Sequence, residues 1–336
     1  MSRSRYSRVA GVAVHVPDGG LTTPQLEDLL AERNPGISVP RGLIERHSGV
    51  RRRHVAPPEW MASDLAVAAA RRLLRKTGHT PPSIDLIIYA GVSGDAVEPA
   101  TGHMVAAKLG AGCPVFDVRD ACNSVLRAIH LADALITGGH HRTVLVVCGE
   151  VATSSIRWRV ESQEDFEPAI PSYTVSDSGS ALLLESSGTP GVLGHRFGAN
   201  SAYWEVSLMP FVRDGSSGFR AGDFTIDPVA LAIGVQKLDL GLLRQPLAER
   251  GLGWADMAVV CAHQPSLAAL HWLCELIELP RDKAEVTIVE HGNLAAATLP
   301  MQLHQAERAG RLRRGDLVAL VGVASGLSSG TVLLRW

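Results

Sequence analysis

Three residues far apart in this chain, Cys122, His263 and Asn293, are of the types that acyl chemistry on sulfur requires. A thiolate takes an acyl group, an imidazole N–H and an amide N–H hold an enolate or oxyanion between them, and backbone N–H groups hold the thioester oxygen. Cys122 follows the short apolar run 115–119 and opens the apolar helical stretch that runs on to Leu135. A helix start presents unpaired N–H groups and the positive end of the helix dipole, both of which favour thiolate, so Cys122 is expected to be the fastest-alkylating of the five thiols. His263 lies in Cys261-Ala-His-Gln-Pro265 and Asn293 in His291-Gly-Asn293. Taken singly, Cys122 reads as well as a small buried apolar residue, His263 as a satisfied core histidine and Asn293 as a helix cap.

The elements around them supply the reason to read them together. Arg8 to Val16 predicts a first strand, Thr22 to Arg33 and Ser63 to Lys76 predict amphipathic helices, and the near-continuous apolar run Ile84 to Ala90 predicts a strand buried on both faces. Buried strands between helices mean a layered α/β fold with a parallel-type sheet. The order then repeats. Strand 115–119, helix from Cys122, Gly138-Gly139, strand Thr143 to Val147, a turn through Asp177-Ser-Gly179 and strand Ser180 to Leu184 form one series. Strand Glu285 to Val289, helix from Asn293, Gly310, strand Asp316 to Val321, a turn through Gly326 to Gly330 and strand Thr331 to Arg335 form another. Upstream, Ile84 to Val92 aligns with Ala255 to His263 without a gap. This is a duplicated α/β unit, with residues 1–187 as the half carrying Cys122 and 188–336 as the half carrying His263 and Asn293. Because ligands of such sheets bind where the carboxyl ends of the strands converge, the three residues are expected in one crevice.

Composition narrows the class. With 336 residues, 46% apolar and 20% charged, and a net charge of −2, the chain suits two fused globular halves and has no basic excess to bind nucleic acid. The five cysteines form no CxxC pair, which suits reduced thiols in a cytoplasm and gives no zinc site. The basic N-terminus leads into Val9 to Val16, too short for a signal core, and no apolar run reaches the roughly 18 residues of a membrane span. Arg46, Arg51, Arg52 and Arg53 form either a solvated face or a phosphate contact at the mouth of a site. Ser154 to Ser172 and Tyr203 to Phe224 are expected to wall an acyl tunnel.

Asp120-Ala-Cys122, His263-Gln-Pro265, Gly292-Asn-Leu-Ala-Ala296 and Gly322 to Gly330 resemble the thiolase superfamily, and within it the ketoacyl-acyl-carrier-protein synthase III branch. The resemblance spans nearly the whole chain. It implies a duplicated, five-layered αβαβα fold and a homodimer, with a heterodimer of homologous subunits as the alternative. It implies Cys122 as the acyl-accepting nucleophile, His263 with Asn293 as one oxyanion hole, and the N–H groups of Cys122 and Ser325 as a second. The substrates it implies are thioesters of coenzyme A or acyl carrier protein, with no metal or redox cofactor. The chain departs from the branch where contacts to the coenzyme A adenine are expected: it has Leu43 and His47 there, and Ala268 in place of an arginine. At the position where the branch pushes a large apolar residue into its partner's acyl pocket, this chain has Glu98, within Glu98-Pro-Ala100. That signature resembles the head-to-head condensing enzymes of olefin, β-lactone and alkyl-pyrone biosynthesis, and implies that Glu98 removes an α-proton in the neighbouring subunit, its aim stiffened by Pro99. The expected activity is non-decarboxylative Claisen condensation of two acyl thioesters. The alternatives are decarboxylative condensation with a malonyl thioester, acyl transfer to a hydroxyl or amine of a secondary metabolite, and a non-catalytic subunit that shapes a partner's site.

Overall fold

The computed structural model describes residues 6–215 and 218–336. The first sheet contains β1 (Tyr6–His15), β2 (Leu86–Tyr89), β3 (Val115–Asp117), β4 (Thr143–Glu150) and β5 (Ser178–Ser187) in the order β1-β5-β4-β2-β3. β2 is parallel to both β3 and β4, while β5 is antiparallel to β1 and β4. The second sheet contains β6 (Val192–Ala199), β7 (Val259–Ala262), β8 (Leu317–Ala324) and β9 (Ser328–Arg335) in the order β7-β8-β9-β6. Its strands repeat the directions of the first: β7 is parallel to β8, and β9 is antiparallel to β8 and β6.

The apolar run that predicted a doubly buried strand is β2, and its alternation explains the layers. Leu86 and Ile88 face a core shared with the second sheet, while Ile87 and Tyr89 face the helix α1 (Ala62–Thr77). α1 and α2 (Thr101–Leu109) cover the outer face of the first sheet. α3 (Ser124–Thr137) and α5 (Thr298–Arg308) lie between the sheets, and α4 (Leu267–Leu276) covers the outer face of the second. The result is the helix–sheet–helix–sheet–helix layering of the thiolase-like fold.

Three local expectations are corrected. Asp177-Ser-Gly179 is not a turn, because Ser178 and Gly179 already pair with Glu150 and Gly149 as the start of β5. Here α1 presses on the sheet: a Cβ on Gly149 would lie 1.8 Å from the Ala62 carbonyl oxygen, and one on Gly179 would lie 1.9 Å from that of Leu65. Residues 285–289 are not a strand. The second half keeps only a bridge between Val260 and Ala284 where the first has β3, and Ile288–His291 is a short helix. The β-branched run Val286-Thr-Ile-Val289 favours a strand, but the buried Gln264 side chain overrides it by accepting the N–H groups of Thr287 and Ile288 at 2.8 and 2.9 Å. The ladder also pairs Tyr89 with Val147 and Ala262 with Val321, so His263 is equivalent to Ala90 and the gapless alignment is two residues out.

Candidate active site

Cys122 stands in a tight connection between β3 and α3. Asn123 is the N-cap of α3 and Ala121 has φ +46°, a left-handed conformation that costs an alanine and is kept by the surrounding contacts. Asp120 is tied to Arg127 through two bonds of 3.1 and 2.9 Å, and its N–H donates to Ser124 Oγ at 2.9 Å. Asp120 therefore orients this connection. Asp117, five residues before Cys122, is likewise committed: it accepts the N–H groups of Thr101 and Gly102 at 2.7 and 2.8 Å, at the start of α2.

The next residue ties Cys122 to the other half. Asn123 is fully buried and its Nδ2 donates to Ser328 Oγ at 3.0 Å and to the Ser328 carbonyl at 3.3 Å. It lies so close to β8 that a Cβ on Gly322 would fall 1.8 Å from its Oδ1. β8 in turn holds the two other stations. The His263 N–H donates to the Val321 carbonyl at 2.9 Å, and Ser325 follows the end of β8 with its Oγ 2.8 Å from Ser207 Oγ. Asn123, the residue after Cys122, the backbone of His263 and Ser325 thus all lie against β8 or the segment that follows it.

His263 is buried, its Nδ1 has no hydrogen-bond partner, and burial lowers its pKa to about 4, so the ring is neutral at neutral pH. A neutral imidazole has one N–H to donate. Asn293 is buried in the connection before α5. Its backbone is held by Thr174 and Ser176, at 2.7 and 3.0 Å, and Gly292 before it has φ +67° with no room for a side chain beside the Thr174 carbonyl and Ser176. The predicted helix does not start at Asn293. A 3-10 turn, Ala295–Ala297, intervenes before α5, and Asn293 Oδ1 accepts the Ala295 N–H at 3.0 Å. With its carbonyl so engaged, the side chain has its N–H groups left to offer.

The thiol of Cys122 does not have the state expected from its place at a helix start. Burial first, and then the negative charge of Glu150, push it up to about 12; a backbone hydrogen bond pulls the other way, and Asp120 adds the least. Desolvation outweighs the helix end. Glu150, the last residue of β4 and fully buried, went unnoticed in the sequence, where the apolar run before it reads as ending at Val147. The available signal was a single carboxylate closing an otherwise apolar strand.

Glu98 lies away from these residues, exposed on the loop between β2 and α2 beside Val97, which is 90% exposed. The base of that loop is firmly held: Val92 and Ser93 donate to Glu150, and Asp95 accepts the Ser63 N–H at 2.9 Å. The arginine cluster divides. Arg53 is completely buried, whereas Arg46 and Arg51 line an open cavity of about 400 Å³ with Glu45 and Leu267. Residues 216–217 of the stretch expected to wall a tunnel lie outside the described residues. Among the described residues no group of three or more His, Cys, Asp or Glu is placed to hold a metal, and no helix is long and apolar enough to cross a membrane.

Comparison with known proteins agrees with this fold. The chain matches the family descriptions 3-oxoacyl-(acyl-carrier-protein) synthase III over residues 116–201 and 3-oxoacyl-(acyl-carrier-protein) synthase III C terminal over residues 247–336. It is similar to the 3-oxoacyl-(acyl-carrier-protein) synthase III of Aquifex aeolicus, with 26% identity and a TM-score of 0.84 over 98% of this chain and 100% of that one. It is similar also to the synthase III of Pseudomonas aeruginosa PAO1, with 25% identity and a TM-score of 0.83 over 98% of each chain. Xanthomonas campestris OleA shares the fold, with 23% identity and a TM-score of 0.86 over the whole of both chains. The chain is thus a thioester-condensing acyltransferase and belongs to the 3-oxoacyl-(acyl-carrier-protein) synthase III family.

Proposed function

We propose that this enzyme joins two acyl thioesters of coenzyme A or carrier protein head to head, without decarboxylation, and that residues 1–187 and 188–336 are the units supplying nucleophile and oxyanion hole. In the first step Cys122 Sγ attacks the carbonyl of one thioester. The oxyanion is held by the N–H groups of Cys122 and Ser325, and the thiol proton of Cys122 leaves on the departing thiol. Because the resting thiol is strongly protonated, proton loss and attack occur together. A second thioester then sets its carbonyl oxygen against His263 and Asn293. Glu98 of a neighbouring subunit removes the α-proton, and the enolate carbon attacks the acyl-Cys122 carbonyl, freeing Sγ and leaving an α-branched β-keto thioester.

The observation that carries this reading is the Glu98 loop. A loop whose base is fixed by a buried carboxylate and by Ser63, yet whose apex exposes Val97 and Glu98, suits insertion into a second subunit. Among solved relatives, OleA of Xanthomonas campestris includes variants at a glutamate, a cysteine and a histidine, the same residue types. The family description favours a second reading, decarboxylative condensation with a malonyl thioester, in which Glu98 is incidental.

Mixing subunits separates the two. Glu98→Gln should acylate Cys122 yet not couple, and Cys122→Ala should do neither. A re-associated hybrid dimer has one site with Cys122 facing an intact Glu98. Equal mixing should restore about a quarter of the activity, since random pairing makes about half the dimers hybrid and each has one working site. With subunit exchange confirmed by tagged pull-down, no recovery of activity would remove the trans role of Glu98.

A further inference from the structure

A fully buried carboxylate without a cationic partner among the described residues lies where the two halves meet. Burying an ionised carboxylate is costly unless hydrogen bonds replace its water. For Glu150, backbone amides replace it: Oε1 accepts from Val92 N at 2.9 Å, Oε2 accepts from Ser93 N at 3.0 Å, and the Ala296 N–H reaches the same group. The Cys148 thiol lies 3.6 Å from Oε1. The amides come from the segments that must be placed against Cys122. Val92 and Ser93 begin the loop that carries Glu98, and Ala296 follows Asn293 in the turn before α5. Cys122 lies within the electrostatic reach of the same carboxylate. An apolar side chain of this size would avoid the desolvation cost but would leave all these N–H groups buried and unpaired.

We propose that Glu150 is a positioning residue: it holds the Glu98 loop and the Asn293 turn in register with Cys122, so that enolate formation depends on a buried anion that never touches substrate. The proposal rests on the assignment above of Cys122 as nucleophile and of Glu98 and Asn293 as the enolate-forming groups. It predicts a split between the half-reactions. Acylation needs only Cys122 and its own oxyanion hole, whereas coupling needs all the segments that Glu150 ties together.

Glu150→Gln turns one acceptor oxygen into a donor facing an N–H, and Glu150→Asp keeps the charge but withdraws it by one methylene. In single-turnover measurements both variants should form acyl-Cys122 within about threefold of the parent rate. Both should lose at least about tenfold in coupling, towards the ~10²-fold that a displacement of order 1 Å brings. Iodoacetamide supplies a second readout, and loosening of the fold is told apart because it would also quicken alkylation of the buried Cys261 and Cys274. At pH 8.5 alkylation of Cys122 should quicken several-fold in Glu150→Gln, where the anion is gone, and change less in Glu150→Asp. The other nearby anion, Asp120, is paired with Arg127 and is unaltered in both variants. Parental coupling in both variants overturns the proposal, and so does an equal loss of acylation and coupling accompanied by a lowered melting temperature. If Glu150→Gln does not fold, the half-reaction split in Glu150→Asp decides alone. If the unaltered protein does not acylate Cys122, the nucleophile assignment is wrong and this proposal goes with it. If the unaltered protein acylates and couples and the variants match it, only the role of Glu150 is lost.

Discussion

Alkylation of Cys122 in the substrate-free enzyme should be slow and should rise with pH well beyond the range of an ordinary thiol. Burial and the neighbouring Glu150 and Asp120 carboxylates disfavour the thiolate and move the group from 9.0 to about 12. At pH 8 that leaves about one thiolate in 10⁴, against about one in ten for the unshifted thiol, so alkylation should be slower by about 10³-fold. Cys113 and Cys122 are both half-buried, but Cys113 is raised mainly by burial without Glu150 beside it and should be modified first. Timed iodoacetamide exposure from pH 7 to 10, quenched and read by peptide mass spectrometry, measures each site separately. The rate at Cys122 should climb about tenfold per pH unit without a plateau, as expected when reagent meets only the thiolate. A plateau below pH 9, or Cys122 reacting ahead of Cys113, would refute the claim that desolvation outweighs the helix end. Such slow alkylation would mean that the reactivity of Cys122 is conferred by the bound thioester and not stored in the resting sulfur.

Removal of either proposed oxyanion donor, in His263→Ala or Asn293→Ala, should leave acylation of Cys122 nearly intact and slow coupling by about 10²-fold or more; near-parental coupling in both would place the enolate elsewhere. Gly322→Ala forces a Cβ into Asn123 Oδ1, so Asn123 must abandon its two bonds to Ser328, costing about 2 kcal/mol at about 1 kcal/mol each. Thermal unfolding should detect this loss together with slower acylation, and an unchanged melting temperature would contradict the close approach. His54 and His263, both held near 4 by burial, stay neutral in the fold while the unfolded chain protonates near 6.5. Their contribution is therefore complete above about pH 6.5 and is lost as pH falls towards 4, so the urea midpoint should drop between pH 7 and pH 5. A His54→Gln variant should show a smaller drop, and an equal or larger one would argue against this source.

Much of the site was legible because its parts stand at junctions between strongly patterned elements. The apolar run ending in β3 and the helical stretch after it singled out Cys122, while the repeated order of elements singled out His263 two residues out of register and Asn293 before a helix that starts later. What could not be read was set by long-range packing. The acid–base state of Cys122 depends on burial and then on Glu150, both of which act on it only after the sheet forms. Val286-Thr-Ile-Val289 has strand propensity, but Gln264 claims its amides and bends it into a short helix. Arg53, one of four arginines expected on a surface or at a phosphate, is instead buried with its guanidinium bonded to Thr23 Oγ1 at 3.0 Å and the Leu21 carbonyl at 3.3 Å. A local count of charges does not distinguish it from Arg46 and Arg51, which do line an open cavity.

The most direct test of the central claim is to supply the purified enzyme with a single long-chain acyl-coenzyme A as its only thioester and to analyse protein and products together. The account predicts an acyl adduct on the Cys122 peptide and an α-branched β-keto product containing both acyl chains, without release of CO₂. An acylated Cys122 that couples only when a malonyl thioester is added, with CO₂ released, would contradict it and assign this enzyme to decarboxylative condensation.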